Sequence, residues 1–80
     1  MVKNMIEELD TVVLSHDIEE HGLKAGDVGA VVHRYTNAPA YEVEFVTAEG
    51  KTIALLTLTD EDVRPIASQE ILHVRELVPA

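Results

Sequence analysis

The sequence predicts an all-β domain of about five short antiparallel strands, with a short helical turn before the last strand. Three observations predict it. Short β-branched and aromatic runs recur along the chain. Clusters of Gly, Pro, Asn and Asp separate them. In "YEVEFV" (41–46), Tyr41, Val43 and Phe45 alternate strictly with Glu42 and Glu44, as in a strand with one buried and one wet face.

The elements follow in order. Ile6 and Leu9 in "MVKNMIEELD" are spaced to share one helical face, so a turn of helix is expected there. "TVVLSHDI" (11–18) reads as a strand. "EEHGLKAGD" (19–27) reads as a loop with two turns, and Asp27 beside Gly26 fits a turn acid bonded to backbone. "VGAVVHRY" (28–35) reads as a strand with Val28, Ala30 and Val32 on one face and Val31, His33 and Tyr35 on the other. Gly29 inside it signals a bulge or a close backbone approach.

"TNAPA" (36–40) is a turn, and "TAEGK" (47–51) has hairpin composition, with Gly50 able to take φ > 0. "TIALLTL" (52–58) is apolar on both faces, and its length of seven residues between turn signals favours a buried strand over a helix. In "TDEDVRPI" (59–66), Thr59 and Asp62 can form a capping box, and Pro65 blocks continuation of the turn. In "ASQEILHVRELVPA", Leu72 and Val74 alternate with His73 and Arg75; a final strand is the reading, with a helix as the alternative. This is the plan of a small SH3-like barrel, since closing the sheet hides its edges. Residues 1–8 read as an N-terminal extension and 9–78 as one barrel domain.

Composition limits the function classes. Eighty residues make one small domain, and a chain of that size buries only about 60% of its unfolded surface. There is no cysteine, so disulfides and thiolate zinc sites are excluded. The N-terminus lacks the apolar core of a signal peptide, and no run reaches membrane-spanning length; a cytoplasmic protein is expected. The formal charge is −9, from fifteen acids against six scattered Lys and Arg. Such a chain repels a phosphate backbone, so neither nucleic acid nor membrane is the expected partner. Solubility alone, or attraction of a basic protein, would account for the acids.

Candidate sites are few. In "HDIEEH", His16 and His21 are five residues apart, about 140° of helical rotation, so they cannot share a helix face as zinc-protease histidines do. The reversed H-x-x-E-H spacing fails because Glu20 stands where a histidine is needed. A solvated loop is the expectation, with no metal ligand and no cofactor. Asp60, Glu61 and Asp62 lack the spaced ligands of a calcium loop and suit the start of a helical turn. Ser15 and Ser68 are the only serines; Ser15 and His16, as strand neighbours, point to opposite faces. No catalytic residues are expected, and the chain is not read as an enzyme. Three aromatics, with Phe45 and Tyr41 needed for the core, do not make a proline-peptide groove or a base-stacking platform.

The residues "HGLKAGDVGAVVHRY", "YEVEFV", "LTLTDEDVRPI" and "ILHVREL" resemble, in their order, a family of small bacterial proteins common in cyanobacteria and classed only as a domain of unknown function. The resemblance covers roughly residues 9–75. It implies an SH3-like barrel, carries no catalytic residues, and places the chain near small acidic antitoxin-like proteins encoded beside a toxin. "GLKAGDVGAVV" is also similar to the opening of other SH3-like barrels, such as the nitrile hydratase beta-subunit type, which supports the fold and transfers no activity.

The expected function is a non-catalytic acidic protein-binding module, an antitoxin-like inhibitor of a basic partner. Its candidate surface is Asp17, Glu19 and Glu20 in the long loop with Glu42 and Glu44 on the strand. The alternative is an accessory subunit of a larger complex or a self-associating barrel, so a homo-oligomer stays open.

Overall fold

The computed structural model describes residues 6–77. Its strands are β1 (Thr11–Leu14), β2 (Val28–Arg34), β3 (Ala40–Val46), β4 (Thr52–Thr59) and β5 (Val63–Pro65). All neighbours pair antiparallel in one open sheet, ordered β4-β3-β2-β1-β5. The all-β reading with five antiparallel strands therefore holds.

The connection from β4 to β5 shapes the sheet. Thr59 ends β4 and Val63 begins β5, and four residues of chain span at most about 14 Å. These strands lie at opposite edges, which a flat sheet of this order would separate by about 19 Å. The sheet must roll to bring them together. Among the described residues no ladder joins the two edge strands, so the roll is not closed by hydrogen bonds.

The inner face of the roll carries the core. Val12, Leu14, Val31, Val43 and Val63 are all but inaccessible, and Tyr41, Phe45, Ala54 and Leu58 pack with them. Strict alternation on β3 sends Tyr41, Val43 and Phe45 inward, as expected. Gly29 lies opposite Val12 in the ladder. A Cβ there would stand 2.6 Å from Val43 Cγ1 and 2.9 Å from Phe45 Cε1. Of the two readings of Gly29, close approach is the right one, while the β2 bulge falls between Val31 and His33. That bulge leaves both Val32 and His33 exposed and breaks the expected two-face pattern. The 47–51 hairpin forms as expected, with Gly50 at φ 89.

Several expectations need correction. The first strand stops at Leu14, because the Ser15 N–H turns to the Asp62 carbonyl. Ile18 makes only an isolated bridge with Leu23, and Glu19–His21 is a short 3-10 turn inside the loop. Ile6 and Leu9 do not share a face. Leu9 adopts φ 75 in a turn closed by Asp10 N–H to Glu7 O; Ile6 is buried and Leu9 is 86% exposed. Residues 1–5 of the predicted extension, and Val78 at the predicted domain end, lie outside the described residues.

The last strand is Val63–Pro65, not the segment around Leu72 and Val74. Only a single turn, 60–62, precedes it. Asp62 accepts from the Thr59 N–H at 2.9 Å and the Glu61 N–H reaches Thr59 Oγ1 at 3.2 Å, so the capping contacts form without a helix. Pro65 is tolerated because β5 is an edge strand. Residues 66–77 form a tail without helix or strand. Val74 is 96% exposed and Leu72 65%, so their alternation with His73 and Arg75 marks no buried face.

Candidate functional site

Two surfaces carry the chemistry of this chain. The first is the outer face of the rolled sheet. Alternation on β3 turns Glu42 and Glu44 outward, two residues apart on one strand. Each is held across the ladder by a β4 hydroxyl. Thr57 Oγ1 donates to Glu42 Oε1, and Thr52 Oγ1 donates to Glu44 Oε2 at 2.6 Å. Glu44 sits between Ala30 on β2 and Leu55 on β4. Val32, Val46 and Leu55 are 44%, 50% and 54% exposed. Two oriented carboxylates thus stand among accessible apolar side chains, a mixture suited to a protein partner.

The acids of the long loop have divided roles. Asp17 Oδ1 accepts the Ala25 N–H at 2.8 Å and so fixes the loop rather than offering a free charge. Glu19 and Glu20 are exposed in the first turn of the 3-10 segment. They stand on a different element from Glu42 and Glu44.

His16 turns to Asp62, with Nε2 2.7 Å from Oδ1, and its Nδ1 lies 3.0 Å from the Asp17 carbonyl oxygen. Both ring nitrogens face acceptors, which suits the doubly protonated imidazolium. The Asp62 hydrogen bond, aided by the Asp17 carbonyl, raises the His16 pKa. The same pairing, with the Thr59 N–H, lowers that of Asp62. "HDIEEH" is therefore a loop pinned to the β4–β5 turn by His16. Among the described residues no group of three His, Asp or Glu side chains is placed to hold a metal ion.

The second surface centres on Asp27, the one buried charged residue among those described. As expected of a turn acid, its Oδ2 accepts the Lys24 N–H at 2.9 Å. The tail adds what the sequence did not disclose. Arg75 donates from Nε to Oδ1 at 2.8 Å and from Nη2 to Oδ2 at 2.6 Å, a two-pronged clasp. Arg75 Nη2 also donates to the Gly22 carbonyl at 2.8 Å, and His73 Nε2 lies 3.2 Å from Asp27 Oδ1. Burial opposes ionisation of Asp27, but the Arg75, Lys24 and His73 hydrogen bonds outweigh it and hold its pKa at about 2.

Asp27 lies on the wall of a cleft of about 530 Å³, lined by Leu23, Phe45, Val46 and Ile53 of the domain and by Val74 and Leu77 of the tail. A second clasp anchors the start of the tail. Arg64 donates from Nη1 and Nη2 to Glu70 at 2.7 and 2.6 Å, and the Ala67 N–H donates to the same carboxylate at 2.7 Å.

Sequence reading placed Glu42 and Glu44 on the outer face of β3 through alternation. It missed the Asp27–Arg75 pair, because no local pattern joins residues 48 apart.

The family described as Domain of unknown function (DUF4926) matches residues 8–65. That span holds all five strands, Gly22 and Asp27, and ends before the tail; "ILHVREL" (71–77) lies beyond it. No curated protein and no solved structure matches the chain.

Proposed function

The chain belongs to this family of domains of unknown function, and on that premise we propose that it is a non-catalytic, SH3-like acidic module that binds another protein. In this reading it works as an antitoxin-like inhibitor, laying its carboxylates against a basic partner. The observation that supports the reading is the outer sheet face, where Glu42 and Glu44 are held in place by Thr57 and Thr52 beside exposed Val32, Val46 and Leu55. Oriented carboxylates give steering and register, and the apolar neighbours give burial. The formal charge of −9 extends the attraction beyond contact range. Glu19 and Glu20 form the outlying part of the surface.

Charge reversal tests it. Replacing Glu19, Glu20, Glu42 and Glu44 with Lys abolishes binding to the basic partner if these residues carry recognition. Unchanged affinity rules these surfaces out.

A second reading, an accessory or self-associating subunit, has its own support. β4 is an edge strand of eight residues, "TIALLTLT", with neither charge nor proline along it. Natural edge strands are usually protected by such residues, so an unprotected one suits pairing with another chain. Leu55→Lys on this strand dissolves such an assembly and leaves a monomer folded. A mass that is monomeric in both forms at every concentration removes the reading.

A further inference from the structure

We propose that Asp27 and the Gly22 carbonyl form a guanidinium-binding site for an arginine of the partner protein, and that Arg75 is its resident, exchangeable occupant. The inference deepens the acidic-module reading, on which the basic character of the partner rests.

The receiving groups are built into the domain. Asp27 is 9% exposed and fixed by the Lys24 N–H, so its two oxygens are already aimed. Together with the Gly22 carbonyl they supply three acceptors, which the planar fork of Arg75 fills at 2.6 to 2.8 Å. That geometry selects a guanidinium over an ammonium, which cannot span two carboxylate oxygens in one plane. Once the tail is displaced, the domain wall of the adjoining cleft, Leu23, Phe45, Val46 and Ile53, faces the stem of an incoming arginine.

The occupant is held far less firmly than the receptor. Arg75 comes from a tail without helix or strand. Ile71, Leu72 and Val74 on that tail are 94%, 65% and 96% exposed, and only Leu77, at 40%, is covered to any extent, so little apolar burial holds it down. Its attachments are side-chain clasps, Arg64 to Glu70 and Arg75 with His73 to Asp27. The receptor also lies within the family span of residues 8–65, and the occupant lies outside it. An acidic domain whose one buried carboxylate among the described residues already holds an arginine in cis is set to accept one in trans, once the tail is displaced.

The test uses the full chain with Arg75→Gln, and N-acetyl-arginine amide as the probe, followed by NMR shifts of the Gly22 and Lys24 amides. A tethered Arg75 competes with the probe and lowers the fraction of open sites. The variant should bind at least about tenfold more tightly than the wild-type chain. N-acetyl-citrulline amide, of the same shape without charge, should not bind, and adding Asp27→Asn should remove the response. A folded Arg75→Gln chain that ignores the probe overturns the proposal. Should that variant unfold, Arg75→Lys keeps the charge without the fork and must respond in the same sense. If both unfold, Arg75 is a fixed structural clamp and the proposal fails. Reversing Glu42 and Glu44 must leave probe binding intact, so failure of the outer face as a partner surface is read separately from failure of this site.

Discussion

Arg75 clasps Asp27 with two hydrogen bonds, at 2.8 and 2.6 Å, across 48 residues of sequence. The pair ties an irregular tail to the turn that opens β2. Side-chain exposures of 22% and 11% leave it partly shielded from water, where a charged hydrogen bond is stronger than on an open surface.

Asp27→Asn removes the charge and keeps the shape. The Lys24 N–H retains an acceptor, while Arg75 is released to solvent. A loss of about 2 kcal/mol is expected, the usual worth of hydrogen bonds to a charged group. Urea unfolding measures it; a midpoint equal to that of the native chain would mean the clasp adds nothing to stability.

Acid should act through the same group. The Asp27 pKa falls from 3.8 to about 2 on folding. Between those values the unfolded chain binds more protons than the native one. The stabilisation from Asp27 is therefore complete above its unfolded pKa and is lost as pH falls through the folded value. Stability measured from pH 5 to pH 2 should drop less steeply in Asp27→Asn than in the native chain. Parallel curves would contradict the assignment.

His16 should titrate above its ordinary value, because both ring nitrogens face acceptors. Its contribution to stability is present below the unfolded pKa and lost as pH rises through the folded one. An NMR titration of the imidazole reads this directly. Asp62→Asn should bring His16 back towards 6.5; a titration unaffected by that change would show that the pair does not persist in solution.

Gly29→Ala should cost about 1–3 kcal/mol, the range for overpacking a filled core. The new methyl would meet Val43 Cγ1 at 2.6 Å and Phe45 Cε1 at 2.9 Å. Combining it with Val43→Ala makes room, so the double variant should lose less than the sum of the single changes. Simple additivity would mean that β2 shifts to avoid the clash.

Local patterns explain what could be read in advance. Tyr41, Val43 and Phe45 declared the inner face of β3, and with it the outward position of Glu42 and Glu44. Gly29 was legible only as a bulge or a close approach, and the contacts of its position with Val43 and Phe45 decide for the close approach. The end of the chain misled for a physical reason. Alternation of Leu72 and Val74 with His73 and Arg75 mimics a strand, but the sheet's inner face is already filled and both apolar side chains stay exposed, so the alternation buries nothing. What those four residues supply instead is His73 and Arg75 to Asp27. Such a contact is fixed by how the sheet rolls, and periodicity carries no record of it.

In the proposed function, the acidic outer face binds a basic protein. A pull-down with the intact chain from a lysate of its own source cell, at low and moderate salt, with mass spectrometry of the retained proteins, tests it most directly. One stoichiometric basic protein is expected, released as salt rises and not retained by a chain carrying Glu42→Lys and Glu44→Lys. A partner held equally by both chains and at both salt levels would contradict it.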